Sequence, residues 1–233
     1  MMKPLLYLCL ILPQLAFAQI SAEETYTSFI APKNPEGPER QDRWMVDLSY
    51  SSWLEYPSNI ELKPFGHSIG VQRMIDLPLN KKSTFGFAIG FGFNSQNYYH
   101  NGAFAEQLDS LNQHQGYTIV PLPAGYEYKR NKISFNYLEI PVQIRIRSSK
   151  KWHFFFYPGF KAGWLFNDHT KIIDDSGKYK RFGFKGFTQI QYGPTLHIGF
   201  NRFAVYGFYS LTPILKDGPA FSVFSMGISL NFF

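Results

Sequence analysis

The stretch Phe221 to Phe233, FSVFSMGISLNFF, decides the fold of this chain. From Phe224 onward, apolar side chains occupy every second position, and small or polar side chains lie between them. The apolar set is Phe224, Met226, Ile228, Leu230 and Phe232, and the intervening set is Ser225, Gly227, Ser229 and Asn231. Because successive side chains of a β-strand point to opposite faces, this alternation predicts a terminal strand with one apolar and one polar face.

The same alternation recurs in six segments upstream, most clearly in Thr84 to Asn97, where phenylalanine and isoleucine alternate with small residues, and a seventh segment is also predicted as a strand. The predicted strands are 43–53, 65–77, 84–97, 132–147, 152–166, 186–200, 203–212 and 221–233. Each has the ~9–11 residues that a tilted strand needs to cross the hydrocarbon of a bilayer. An even strand number with alternating shorter and longer connections is typical of transmembrane barrels. We therefore predict an all-β fold, an eight-stranded antiparallel up-and-down transmembrane β-barrel.

A soluble lipocalin-like barrel is the structural alternative, and it would turn the apolar face inward. The non-aromatic face of the predicted strands is built from glycine, serine, asparagine and glutamine, which favours a polar interior. Aromatic residues make up 18% of the chain, a proportion expected where the outer face of a barrel meets lipid. In lipid every backbone amide needs a partner, and a closed sheet supplies one without leaving an edge.

Two of the predicted strands are irregular, and two long connections carry predictions of their own. Arg73 and Met74 interrupt the alternation of the second strand, which predicts either a bulge or an arginine that reaches toward a membrane interface. The seventh strand is apolar on both faces, so its register stays open. The long connection 98–131 is predicted to end with Ile119 to Tyr128 extending the next strand, and 167–185 is predicted to be a charged loop.

The N-terminal residues have the pattern of a secretory signal peptide. Lys3 supplies a positive start, Pro4 to Leu15 is mostly apolar, and Ala16-Phe17-Ala18 is a small-x-small cleavage site. We predict a signal peptide at 1–18, a flexible periplasmic segment at 19–42 and an outer-membrane barrel at 43–233. Cys9, the one cysteine, lies in the predicted leader, so the mature protein is expected to lack disulfides.

The C-terminal strand also resembles a known targeting signal. The residues Ser225-x-Gly227-x-x-Leu230-x-Phe232 are similar to the C-terminal signal by which bacterial outer-membrane barrels are recognised by their assembly machinery. The resemblance implies that the barrel assembly machinery is a partner during insertion.

A second resemblance covers roughly Trp44 to Phe233. The residues that carry it are Tyr137-Leu138-Glu139-Ile140-Pro141-Val142 and Pro158-Gly159-Phe160-x-x-Gly163, together with Asp76-Leu77-Pro78-Leu79 and Gly90-Phe91-Gly92. They resemble the PorT-like outer-membrane β-barrel family, whose namesake takes part in the type IX secretion system. The resemblance implies an eight-stranded barrel in the outer membrane, and it implies location and fold more firmly than a role in secretion.

A set of polar side chains is predicted on the inner faces of the strands. The predicted lumen cluster comprises Asp47, Asp76, Glu139, Gln143, Arg145 and Lys161. Unpaired charges in a narrow lumen are costly, so these groups are expected to pair and to plug the barrel. A proton or ion path is the alternative, but eight strands leave an interior only wide enough for side chains.

Aromatic side chains near the predicted strand ends are interpreted as membrane-interface belts. They are Trp44, Tyr50, Trp53, Trp152 and Trp164. The basic residues of the loops would meet lipid phosphates or a polyanionic partner, or else they are solvated loop tips. They are Lys129, Arg130, Lys132, Lys178, Lys180, Arg181 and Lys185. The formal net charge of +6 is too diffuse to indicate nucleic acid as a partner.

No pattern for catalysis stands out. The histidines at 67, 100, 114, 153, 169 and 197 have no metal-ligand spacing. His197 is predicted in the lumen beside Thr195, with Ser68 and Ser225 also lumenal, and nothing in the sequence joins them as base and nucleophile. We therefore expect neither enzymatic activity nor a cofactor, with a lipid-modifying enzyme as the alternative.

The sequence predicts a non-enzymatic outer-membrane barrel that serves as a scaffold or binds partners, with type IX secretion as the sharpest version. A narrow pore and a surface adhesion or membrane-stability protein are the alternatives. The expected partners are outer-membrane lipid and lipopolysaccharide, the barrel assembly machinery and secretion-system proteins.

Overall fold

A computed structural model describes residues 43–80, 83–111, 113–148 and 153–232. They form eleven strands: β1 (Arg43–Leu54), β2 (His67–Pro78), β3 (Phe85–Tyr99), β4 (Gly102–Leu108), β5 (His114–Pro121), β6 (Arg130–Arg147), β7 (Phe154–Asp174), β8 (Gly177–Phe182), β9 (Ile190–Phe200), β10 (Phe203–Tyr209) and β11 (Ser222–Phe232). Within these ranges no helix is both long enough and apolar enough to cross a membrane. The predicted signal peptide, the segment 19–42 and Trp152 lie outside the described residues.

Eight of the strands close a ring in the order β6-β3-β2-β1-β11-β10-β9-β7, and β7 pairs with β6 to complete it. Every neighbouring pair is antiparallel, and strands that adjoin in the ring also follow each other along the chain, apart from β1 and β11. β1 and β11 form the closing seam, from Trp44 opposite Phe232 to Leu54 opposite Ser222. The predicted eight-stranded antiparallel up-and-down barrel is confirmed.

The alternation of side chains sorts apolar residues to the outside of the ring and polar residues to the inside. On β11, Met226 and Ile228 are exposed, whereas Ser229 and Asn231 are buried. The same division holds on β2, β3, β6, β7 and β9. An apolar face this continuous on the outside of a closed ring matches lipid and not water, so the lipocalin-like alternative is wrong.

β2 has a regular register with no bulge, so the bulge predicted at Arg73 and Met74 is wrong. Arg73 faces outward, with its guanidinium carbon 5.7 Å from the centroid of the Trp44 ring. Met74 faces inward and packs with Met45 and Ala88. The strand is therefore regular, but a charged residue faces outward and an apolar residue faces inward at these two positions.

β10 looks apolar on both faces because its inner face carries the rings that fill the upper lumen. Tyr206 and Phe208 are buried, whereas Phe203 and Val205 are exposed. The register that the sequence leaves open is therefore set by Ala204, Tyr206 and Phe208 pointing inward.

The long connection after β3 contains the hairpin of β4 and β5, which forms a separate two-stranded sheet. The prediction that Ile119 to Tyr128 extends the next strand is wrong, because Ile119 belongs to β5 and β6 begins at Arg130. Ile119 is buried and packs in the same apolar cluster as Phe104, so burial of the hairpin's inner face holds this segment back from β6.

The segment 167–185 is mostly a second hairpin, so the prediction of a charged loop is wrong. β7 continues to Asp174, and β8 pairs with it from His169 opposite Phe182 to Asp174 opposite Gly177. The Asp174 carboxylate accepts the backbone N–H groups of Ser176 and Gly177 at 2.9 and 3.0 Å, which closes the turn. The charges of this segment therefore lie at fixed positions on a sheet.

Candidate functional site: the filled lumen and the capped outer mouth

A buried ion pair lies in the upper part of the lumen, where β6 meets β7. Lys161 Nζ donates to Glu139 Oε1 at 2.8 Å, and both side chains are buried. The same ammonium group lies 4.1 Å from the centroid of the Phe208 ring on β10. Lys161 therefore has a carboxylate on one side and an aromatic face on the other, so its charge is doubly stabilised.

A chain of hydrogen bonds crosses the lumen from β2 and β1 to β9 and β6. Gln72 Nε2 donates to Asp47 Oδ2 at 2.8 Å. His197 Nε2 lies 3.3 Å from Asp47 Oδ1, and Gln143 Nε2 lies 3.2 Å from His197 Nδ1. Both contacts are hydrogen bonds when His197 donates through Nε2 and accepts through Nδ1. The chain ties opposite walls of the barrel together.

The lower end of the lumen, on the side of the short turns, holds a carboxylate among arginines. Arg145 Nε lies 3.3 Å from Asp76 Oδ1, and Arg147 Nη2 contacts Asp76 Oδ2. Arg147 Nε also donates to the Tyr157 hydroxyl at 2.8 Å, and the Arg145 guanidinium lies 4.1 Å from the Tyr157 ring centroid. Asp76 therefore offsets part of the charge of the two arginines that line this end.

All six predicted lumen residues are buried on the inner face of the ring. They form three groups at successive depths and not one cluster: Glu139 with Lys161, Asp47 with Gln143 through His197, and Asp76 with Arg145. Sequence reasoning missed Arg147 as a partner of Asp76. Its position two residues after Arg145 on the same strand was the available signal.

An aromatic cluster fills the outer mouth of the ring, and Trp53 is at its centre. The Trp53 ring centroid lies 5.2 Å from those of Tyr98, His100 and Phe221, and the residue is 1% exposed. The prediction of Trp53 as an interface aromatic is therefore wrong. Odd-numbered residues of β1 face inward, and the alternation places Trp53 with Ser49 and Ser51.

The other predicted interface aromatics that the structure describes face outward. Trp44, Tyr50 and Trp164 are 45%, 47% and 53% exposed. The outward positions agree with an interface role, which stays a prediction.

The outer ends of the ring strands, the β4–β5 hairpin and the loops supply the rest of the cluster, which we call the outer cap. Its members are Trp53, Ile60, Tyr98, Phe104, Ile119, Ile133, Phe135, Tyr137, Leu165, Phe187, Tyr206, Phe208, Ile214, Leu215, Phe221 and Val223. Phe187 packs edge-on against both Phe104 and Phe135, at centroid distances of 4.9 and 4.8 Å. Burial lowers the pKa of His100, beside the cap, to about 4, so its ring is neutral at physiological pH. The outer mouth is thus packed like a protein core.

The residues of the predicted C-terminal signal lie along the closing seam. The Ser225 and Ser51 hydroxyl oxygens are 2.7 Å apart, and Phe232 lies opposite Trp44. Gly227 lies opposite Ser49, where a Cβ would overlap the Leu48 carbonyl oxygen, so the strands approach too closely for any larger residue. Leu230 lies opposite Val46 on the outer face. Recognition by the assembly machinery stays a prediction.

The serine and histidine side chains weighed for catalysis have structural partners. The Ser68 hydroxyl donates to Asn94 Oδ1 at 2.8 Å, and Ser225 pairs with Ser51. His197 contacts Asp47 and Gln143. Within the ranges that the structure describes, no three His, Cys, Asp or Glu side chains are placed to hold a metal ion.

A closed antiparallel ring of eight strands with an apolar exterior and a polar interior defines a transmembrane β-barrel of the outer-membrane class. Residues 47–216 match the family model of the outer membrane protein beta-barrel domain, and the chain belongs to that family. It is therefore a β-barrel protein of the bacterial outer membrane.

Solved structures with a similar fold include two of Ail, the attachment invasion locus protein of Yersinia pestis. One is a complex with the heparin analogue sucrose octasulfate, with a TM-score of 0.38, and the other has a TM-score of 0.36. In both comparisons the identity is 10%, and the alignment covers 82% of this chain and 99% of the Ail chain. No curated protein matches the sequence.

Proposed function

We propose that this protein is a closed, non-enzymatic scaffold of the outer membrane that binds partners through its outer loops and turns. The filled lumen carries the proposal. Three layers of paired polar groups lie one above another, and the outer cap packs against the upper end. An interior occupied in this way leaves the outer surface and the two rims as the parts available for interaction.

The alternative of a narrow pore requires an ion to displace these paired groups. A passing cation would have to compete with Lys161 for Glu139, and a passing anion would have to compete with Asp76 for Arg145 and Arg147. Breaking a buried pair leaves an uncompensated charge at a cost of about 3–5 kcal/mol. The lumen therefore favours a structural role over conduction.

Type IX secretion is the sharpest version of the scaffold proposal, and the resemblance to the PorT-like family supports it. A rigid barrel that keeps its own lumen shut would anchor secretion components without opening a leak in the membrane. In this role its partners are secretion-system proteins at either rim, with lipopolysaccharide around the barrel and the assembly machinery during insertion.

A surface adhesion or membrane-stability role is the second candidate, and the outer hairpins favour it. β7 and β8 form an ordered sheet that continues from the barrel wall, and β4 and β5 form another. Ordered hairpins present side chains in fixed positions, which suits recognition of a surface outside the cell.

Deletion of the gene separates the two roles. We expect a defined set of exported proteins to accumulate in the periplasm, and re-expression of the wild-type chain to restore their secretion. Release of a resident periplasmic protein serves as the control for general envelope damage. An unchanged secreted set would contradict the secretion role, and increased leakage alone would favour membrane stability.

A further inference from the structure

The outward face of the second outer hairpin carries a row of like charges. Strand register places Lys132 opposite Lys171, and Lys171 opposite Lys180, so three lysines lie side by side on β6, β7 and β8. Two residues further toward the tip of the hairpin, Ile173 on β7 lies between Arg130 on β6 and Lys178 on β8. We call Arg130, Lys132, Lys171, Lys178 and Lys180 the basic ladder.

All five side chains of the basic ladder share one face. Directly opposed residues of an antiparallel pair point the same way, as do residues two apart along a strand. The inward neighbours of Lys132 on β6 are Asn131 and Ile133, and both are buried. The ladder therefore faces away from the barrel interior.

The ladder is not neutralised within the described residues. Among the described residues, the ion pair near the ladder joins Lys129 to Asp175 at 2.8 Å, and neither belongs to the ladder. Lys132 Nζ donates to a neutral group, the Asn97 side-chain oxygen, at 2.8 Å. The Asp174 carboxylate is occupied by the Tyr126 hydroxyl and the turn. Like charges directly opposite each other destabilise a sheet, so the fold maintains an unfavourable arrangement here.

The surface directly below the ladder is apolar and faces lipid. Leu138, Ile140, Trp164 and Phe166 lie on the same outer face of β6 and β7. The side chains of Asn136 and Asn167, joined at 3.2 Å, separate this surface from the ladder. Leu138 and Lys132 are six residue steps apart on β6, about 20 Å along a strand and about 15 Å along the normal of a tilted barrel. The ladder thus lies above the apolar face on the outer side of the barrel.

We propose that the basic ladder binds the phosphate groups of lipopolysaccharide in the outer leaflet. Its cations lie above the apolar face on the outer side, toward the phosphorylated saccharide of such a glycolipid, and the apolar face below them offers a surface for the acyl chains. A soluble polyanion would use the charges alone, so the apolar face beneath favours the lipid. The site does not depend on the secretion role, and its binding test is independent of the secretion test.

Binding of lipopolysaccharide to the purified full-length barrel in detergent tests the proposal. The test variant is Lys171→Gln with Lys180→Gln, and the control is Lys129→Gln with Lys185→Gln, which removes the same charge outside the ladder. We expect the ladder variant to bind at least about tenfold more weakly, since each basic residue near an anionic lipid surface contributes about 1 kcal/mol. The control should change affinity by less than about twofold, because its charges lie outside the site.

Folding of each variant is checked by its heat-dependent gel migration, and Lys171→Arg with Lys180→Arg should retain binding because it keeps both charges. Dephosphorylated lipopolysaccharide should bind the wild type as weakly as intact lipopolysaccharide binds the ladder variant. Equal binding of intact lipopolysaccharide by ladder and control variants would overturn the site. Tighter binding of a soluble sulfated polysaccharide than of lipopolysaccharide would overturn the lipid assignment.

Discussion

Replacing Asp76 with asparagine should lower the free energy of unfolding by about 3–5 kcal/mol, the cost of removing one partner from a buried ion pair. Asp76 is the carboxylate that contacts both Arg145 and Arg147. Arg145 is 1% exposed, so its charge has no access to water once Asp76 is neutral. The variant would leave a buried cationic layer without its counter-charge.

Denaturant unfolding in detergent, followed by tryptophan fluorescence, measures this effect. Asp175→Asn is the matched control, because Asp175 also pairs with a cation but its side chain is 77% exposed. Exposed pairs contribute about 0–1 kcal/mol, so the control should be nearly as stable as the wild type. An Asp76→Asn barrel that unfolds within about 1 kcal/mol of the wild type would show that the lower lumen is hydrated and not a closed layer.

Replacing Trp53 with alanine should destabilise the outer cap by about 3–5 kcal/mol, the usual cost of truncating a buried tryptophan. Its ring contacts Tyr98 at the end of β3, Phe104 on β4 and Phe221 just before β11. The eight-stranded ring itself should persist, because its backbone pairing does not depend on this side chain. We therefore expect loss of the near-ultraviolet circular dichroism signal of the cap with little change in strand content.

Trp164→Ala provides the comparison for this variant, since it removes the same side chain from the outward face of β7. Its effect on the free energy of unfolding should be less than half of that for Trp53→Ala. Equal destabilisation by the two substitutions would mean that the outer mouth is not packed as a core.

The ring could be predicted from the sequence because side-chain alternation is a local property with a fixed period. In Phe85 to Phe93 on β3 and in Phe224 to Phe232 on β11, the alternation within the strand is enough to predict which side chains face outward. Trp53 shows the limit of residue-type rules. Its odd position on β1 placed it inside, and the general preference of tryptophan for interfaces gave the wrong answer.

The pairing inside the lumen could not be predicted in the same way, because it depends on the stagger between strands. Glu139 and Arg145 share the inner face of β6, yet Arg145 pairs with Asp76 on β2 and Glu139 with Lys161 on β7. The β7–β8 hairpin was missed for a related reason. Its charged residues give no apolar and polar alternation, so only the Asp-Ser-Gly sequence of its turn indicated a hairpin.

The closed lumen is the central claim, and the conductance of the purified full-length barrel in planar lipid bilayers tests it most directly. An open porin inserted by the same procedure serves as the positive control, and protease accessibility of the outer loops verifies insertion. The layered ion pairs and the outer cap predict no steady current at moderate voltages. A reproducible single-channel current carried by the wild-type barrel would contradict the closed lumen and would make the protein a narrow pore.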